Sequence, residues 1–332
     1  MGQGEEVKKR SDPVIEIQER GEIFFFYRPK VEKEEAHNPD EVQKLYIVLR
    51  PESGEKTVQV KQDSHSGKEG AKSTNNSKYN EESSNNEDKH SEKEGGKSDN
   101  NFKNEGGQGT DEVNSEKQPL LRFIVMGKKS LPDPSKRSRP FWGFVELVTT
   151  KIDDIKDALK GEEYDTATRG HRHNPPARAL GEGVYRILRH VKGRNKHTHL
   201  IYKLEFPPED EKNEVQESLN VEREGSFIIQ IKNPSQHGSG FRGQQSKRKA
   251  LFPAKLQGKL GNKRFHPADP PDFLNYEGCE FLLISASDDI EEELGVELKN
   301  KTEDAHDVSC SDLVNTFGET ASVRPLLYGT WA

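Results

Sequence analysis

The 332-residue sequence predicts an α+β fold dominated by β-structure: about eight strands in a curled or barrel-like sheet with two or three short helices. Three observations carry this. Short apolar, β-rich runs recur and end at proline, glycine or polar turns. No long helical periodicity or internal repeat is present. The strands do not alternate with helices in the βαβ rhythm of a parallel sheet.

The runs follow in order. GEIFFFYRPK places a strand over Ile23–Tyr27, closed by Arg28-Pro29. LYIVLRP, from Leu45, repeats that signature. LLRFIVMG (Leu120–Gly127) and FWGFVELVTT (Phe141–Thr150) are two more strands. Gly143 inside the second marks a bulge or a close backbone approach. GVYRILRHV and HTHLIYKLEF read as a β-hairpin, with Leu200, Tyr202, Leu204 and Phe206 alternating onto one face. SFIIQIKNP and CEFLLISAS complete the eight. A short helix follows Thr150, with Ile152, Ile155 and Leu159 at helical spacing and Gly161 at its end. A second opens at Asp288 with Glu291 and closes at Gly295, and DLVNTF is a weaker third. Phe24, Phe25 and Phe26 cannot share one face of a strand, so that strand is read as buried.

Composition divides the chain. From Lys61 to Thr110 only Ala71, Tyr79 and Phe102 are apolar, too few to offset the entropy of ordering. The expected organisation is a disordered N-terminus (1–20), one β-rich domain (21–51 with 118–298), a disordered polar insertion (52–117) and a C-terminal tail (299–332). Two cysteines, Cys279 and Cys310, make neither a disulfide framework nor a thiolate metal set. No apolar run reaches membrane-spanning length, and the first residues lack a signal-peptide core, which points to the nucleus, the cytoplasm or both.

No catalytic motif is present, and no cofactor is expected: there is no Walker loop, no G-x-S-x-G and no H-E-x-x-H. The feature that stands out is Thr168–Lys203, with nine Lys or Arg against the single acid Glu182, inside a chain of net charge −7. Arg169, Arg172, Arg178, Arg186, Arg189, Lys192, Arg194 and Lys196 are the candidate anion-binding residues, and Tyr27, Trp142 and Tyr185 the candidate stacking residues. Planar guanidinium groups beside aromatic rings are what phosphates and unpaired bases require. Nucleic acid is the first candidate partner, an acidic protein the second; charge runs are also commonly just solvated faces. KRSR (Lys136–Arg139) and SKRK (Ser246–Lys249) read as nuclear import signals or as the rim of the same patch. The pairs His171/His173 and His197/His199 are H-x-H spacings, which on a strand put two imidazoles on one face. They are the candidate metal ligands of an alternative, enzymatic reading.

Several segments carry a resemblance. GEIFFFYRPK, EEAHNPDEVQKLYIVLRPE, SLPDPSKRSRPFWGFVELVTT, YDTATRGHRHNPPARALGEGVYRILRH and FHPADPPDFLNYEGCEFLLI together resemble a plant protein family commonly labelled BTB/POZ domain TNFAIP-like. That label implies an adaptor that brings substrates to a cullin ubiquitin ligase. A BTB domain is helix-rich, however, and no BTB pattern is seen in these residues. GEIFFFY and FWGFVELVTT are also similar to two strands of the PUA-like barrels, which implies RNA or modified-base binding, with Tyr27, Trp142 and the basic hairpin near one mouth.

Overall fold

The computed structural model describes residues 4–52, 55–59, 110–114, 119–136, 138–192, 195–207, 213–236, 249–299 and 311–331. In chain order the strands are β1 (Glu5–Lys8), β2 (Val14–Pro29), β3 (Val42–Pro51), β4 (Glu55–Gln59), β5 (Thr110–Asn114), β6 (Leu121–Met126) and β7 (Phe141–Thr149). After α1 (Ile152–Leu159) come β8 (Glu162–Thr166), β9 (Gly170–Asn174), β10 (Arg178–Lys192) and β11 (Asn195–Phe206). Then follow α2 (Glu214–Ser218), β12 (Glu224–Lys232), α3 (Ala254–Leu260), β13 (Phe265–Pro267) and β14 (Glu280–Ser287). The described chain ends with α4 (Ile290–Leu294), β15 (Val296–Lys299), α5 (Asp312–Phe317) and α6 (Arg324–Tyr328).

Eight antiparallel strands close into a barrel in the order β11-β10-β2-β3-β6-β7-β14-β12. Closure comes from β12 pairing back onto β11, Glu224–Ile228 against His199–Lys203. Closure removes the exposed sheet edges that invite aggregation. These eight strands are the eight runs that the sequence predicts.

Alternation along the strands sorts side chains into an inner and an outer core. Ile23, Phe25 and Tyr27 of β2 join Ile47, Ile124, Ile187, Tyr202, Ile229 and Phe281 inside. Phe24 and Phe26 point outward, where Phe317 of α5 meets both rings edge-on at 5.6 and 5.5 Å. Ile155 and Leu159 of α1 and Leu326 of α6 pack on the same outer face. A third cluster covers the outside of β10 and β11: Leu188 and Ile201 lie under Ile290 and Leu294 of α4 and Val296 and Leu298 of β15. One register shift in the β2–β10 pairing, between Ile187 and Leu188, sends Glu19 inward and leaves Ile17 outside.

Three boundary expectations are corrected. Residues 4–20 are not a frayed end: β1 pairs with β15, and β2 begins at Val14. β1 is polar, and a partner almost 300 residues away creates it, while the start of β2 is extended by its pairing with β10. Residues 311–331, the described part of the expected tail, are not loose. The Glu182 carboxylate of β10 accepts from Ser311 Oγ at 2.6 Å and Leu313 N at 2.8 Å, which anchors the start of α5. The expected insertion, 52–117, is ordered at its roots, where β4 pairs with β5. Its remainder, the unit Val60–Gly109, lies outside the described residues. Six short α-helices occur among the described residues in place of two or three. The extra ones, α2, α3 and α6, have five to seven residues, too short to print a period in the sequence. No helix among the described residues is long and apolar enough to cross a membrane.

Candidate nucleic-acid interface

The basic stretch is not one surface. Its residues run along β9, β10 and β11, and successive strand positions face opposite ways. Arg186 is 0% exposed. Its Nε donates to Glu6 Oε2 at 2.9 Å, Nη1 to the Tyr185 carbonyl at 2.8 Å and Nη2 to the Gly4 carbonyl at 3.0 Å. Arg178 is buried, donating to the carbonyls of Pro176 at 3.0 Å and Glu34 at 2.6 Å. Arg189 grips Asp269 with two bonds of 2.8 and 2.9 Å and reaches Glu16 at 2.7 Å. Arg172 pairs with Glu32 at 3.4 Å. Arg169, at the β8–β9 turn, and Lys196, at the start of β11, are exposed. Arg194 and the Lys192 side chain lie outside the described residues. The expected anion-binding face therefore reduces, among the described residues, to Arg169 and Lys196.

The expected stacking residues are also separated. Tyr27 and Tyr185 belong to the inner core, 1% and 0% exposed. The Tyr185 hydroxyl donates to Glu19 at 2.8 Å, and Glu19 holds Arg122 through two bonds of 2.6 and 2.8 Å. Arg122 completes the group by donating to Asn275 at 2.8 Å. Burial, then the Glu19 charge, lifts the Tyr185 hydroxyl well above its usual range. Trp142 lies instead on the outer face, stacked on Phe144.

Each histidine pair sits in a different setting. His171 sits near Asp165 (3.3 Å) and Glu163 (3.5 Å), exposed on the β8–β9 hairpin, while His173 approaches Glu34 at 3.4 Å. His199 is 1% exposed, and its closest ring partner lies across the hairpin. His199 Nε2 meets His190 Nδ1 at 3.3 Å, and its Nδ1 meets Ser226 Oγ at 3.0 Å. Glu293 of α4 stands 3.7 Å away. Burial, then His190 and His197, holds the His199 imidazole down to about 3, so it stays neutral. No cluster of three or more His, Cys, Asp or Glu suited to a metal ion occurs among the described residues. The Ser226–His199 contact resembles half of a nucleophilic pair, yet Ser226 is 0% exposed and no substrate reaches it. Register at long range brings Ser226 and Glu293 here, and spacing in the sequence does not announce it.

An open basic cleft forms elsewhere, of about 610 Å³, between the loop after β6, the turn at Pro39-Asp40, the start of β7 and the end of α2. Gly127 begins that loop because the Trp142 indole leaves no room: a Cβ there would lie 2.4 Å from Trp142 Cε2. The loop is fixed by Leu131 N donating to the Leu219 carbonyl at 3.0 Å and Asn220 Nδ2 to the Leu131 carbonyl at 3.0 Å. Lys129 is engaged with the Pro39 and Asp40 carbonyls at 3.3 and 3.2 Å. Lys128 and Arg139 are exposed on the cleft wall, and neither side chain has an ion pair among the described residues. Phe141, half-buried, and Trp142 supply the aromatic wall. The basic run KRSR was visible in the sequence; the convergence of Arg139 with Lys128, Pro39 and Leu219 was not. A second cleft of about 710 Å³, beside α1 and β8, has a net acidic lining, with Asp153, Asp157, Glu162, Glu163 and Glu319 against Lys156 and Lys160.

No family model, curated protein or solved structure matches the chain.

Proposed function

We propose that this protein is a binding module for single-stranded nucleic acid, RNA or DNA, and that the cleft beside Trp142 is where the strand enters. One observation carries the reading: Lys128 and Arg139, cations without a carboxylate partner among the described residues, share a wall with Phe141 and Trp142. A volume of about 610 Å³ falls within the range of small-ligand sites, suited to a nucleotide rather than a duplex. Arg139 and Lys128 would take phosphate oxygens, and the Phe141 ring would stack a base. The fixed loop backbone favours the reading, since a preorganised wall lowers the ordering cost of binding. Arg178, Arg186 and Arg189 do not contribute, because their donors are committed to the protein itself.

Fluorescence anisotropy with labelled uridine and thymidine homo-oligonucleotides tests this at two salt concentrations. The expected result is saturable binding that weakens steeply as salt rises, because phosphate contacts release counterions. Failure to bind at the lower salt would overturn the proposal.

A further inference from the structure

A separate basic surface lies at the other end of the barrel. β12 starts beside the end of β14 and the start of β7, where the Trp142 cleft opens, and finishes beside the start of β14. At that opposite end Leu256 and Leu260 of α3 enter the inner core. Phe252 meets Phe273 and Tyr276 edge-on at 5.1 and 5.5 Å, which pins the approach to α3. Asn233, 0% exposed, pins its exit: Nδ2 donates to the Gly261 and Lys263 carbonyls at 3.0 Å, and its backbone N donates to the Arg264 carbonyl at 2.9 Å. The outward side of this fixed segment carries charge of one sign. Lys249, Lys255, Lys259, Lys263 and Arg264 are its cations, and no Asp or Glu occurs from Lys249 to Ala268. All five are exposed, and none has a carboxylate within ion-pair distance among the described residues. Asp269, the first acid beyond them, feels the charge of Lys259, but its oxygens accept from Arg189 and Gln18. Lys255 and Lys259, four apart on α3, share one face, with Leu251 four residues before and Lys263 four after. Leu251 stands 57% exposed among these cations. A Cβ at Gly258 or Gly261 would meet nothing within 4 Å, so the surface there is open.

We propose that this face docks onto an anionic lipid surface, with the lysines over the headgroups and Leu251 entering the interface. Charge complementarity and an aliphatic side chain exposed among cations together select a bilayer, which takes up both. A nucleic-acid strand fits this face less well. The nearby rings are engaged, Phe252 with Phe273 and Tyr276, and Phe265 under the Arg264 guanidinium at 5.4 Å, so none is left to stack a base. All the cations but Arg264 are lysines, which lack the bidentate fork. The inference uses none of the residues of the Trp142 cleft and stands or falls separately.

Co-sedimentation of the whole chain with phosphatidylcholine vesicles, with and without phosphatidylserine, tests this. The expected result is binding to the phosphatidylserine vesicles alone, weakening as salt rises. Lys255→Gln/Lys259→Gln should lower that binding about tenfold or more, and Leu251→Ser about threefold or more. Arg169→Gln/Lys196→Gln, which removes the same charge from exposed positions elsewhere, should bind like the parent chain. All of these positions are exposed, and an unchanged melting curve for each variant reports an intact fold. No binding to phosphatidylserine vesicles, equal losses in the two charge-matched variants, or full binding by Leu251→Ser would each overturn the proposal. So would a loss of oligonucleotide affinity in Lys255→Gln/Lys259→Gln as large as its loss of vesicle binding, which would make the face a nucleic-acid contact instead.

Discussion

Two basic regions of this protein look alike in sequence and differ in the fold. The stretch Thr168–Lys203 has the denser charge, yet Arg178, Arg186 and Arg189 spend their donors on internal carbonyls and on Glu6, Glu16 and Asp269. The loop before β7 has fewer cations, yet Lys128 and Arg139 face an open cleft. Charge density along a chain measures proximity in sequence only. A strand divides neighbours between two faces, and in a barrel wrapped by ribbons and helices both faces are covered. A loop carries no such obligation: Lys129 is held by Pro39 and Asp40, while Lys128 and Arg139 stay exposed at the cleft.

If the hairpin arginines are structural, removing one must cost stability. Arg186→Met takes the side-chain donor from two backbone carbonyls and leaves the Glu6 carboxylate to Arg20 alone, so we expect a loss of about 3 kcal/mol in denaturant unfolding, with oligonucleotide affinity unchanged in the folded fraction. An unaltered unfolding midpoint would break the contrast.

His199 extends the same argument to pH. Its folded value is about 3 against an ordinary 6.5, so below 6.5 the unfolded chain takes up a proton that the folded protein refuses. This contribution to stability is complete above 6.5, declines by up to about 1.4 kcal/mol per pH unit as pH falls, and is gone near 3. The groups facing it are His190, His197, Ser226 and Glu293. Unfolding measured from pH 7 to 4 should show a shallower fall for His199→Gln than for the parent chain; parallel curves would contradict the burial argument.

The cleft should behave in the opposite way. Charge reversal at Lys128 and Arg139 breaks no ion pair among the described residues, so stability should stay within about 0.5 kcal/mol. The logarithmic salt slope of binding should flatten by about 1 for each cation lost. The smallest effect is expected from Lys196→Glu, which should change neither property beyond about 0.5 kcal/mol.

The eight barrel strands were legible because each is a short apolar run buried on one or both faces, and burial writes itself into residue type. GEIFFFY reads as buried on both sides, and it is: Phe25 faces the inner core while Phe24 and Phe26 meet Phe317. β1 and β15 were not legible. Pairing partners define EEVK and VELK, and their own composition does not. Of the site, the residue types were visible and the accessibility was not. Nothing in GVYRILRHV says that Glu6 and the Gly4 carbonyl will close over Arg186, since those groups arrive from about 180 residues earlier. Arg139 stood in the basic run KRSR, but the wall that it makes with Lys128, Pro39 and Leu219 is a product of the fold.

The contrast between the two regions is tested most directly by one paired titration: single-stranded oligonucleotide against the double variant Lys128→Glu/Arg139→Glu and against Arg169→Glu/Lys196→Glu, at one low salt concentration. Both pairs are exposed and both reverse two charges, so net charge is matched. The account predicts that the cleft pair loses about tenfold or more in affinity while the hairpin pair stays close to the parent protein. Equal losses, or a larger loss from the hairpin pair, would contradict it.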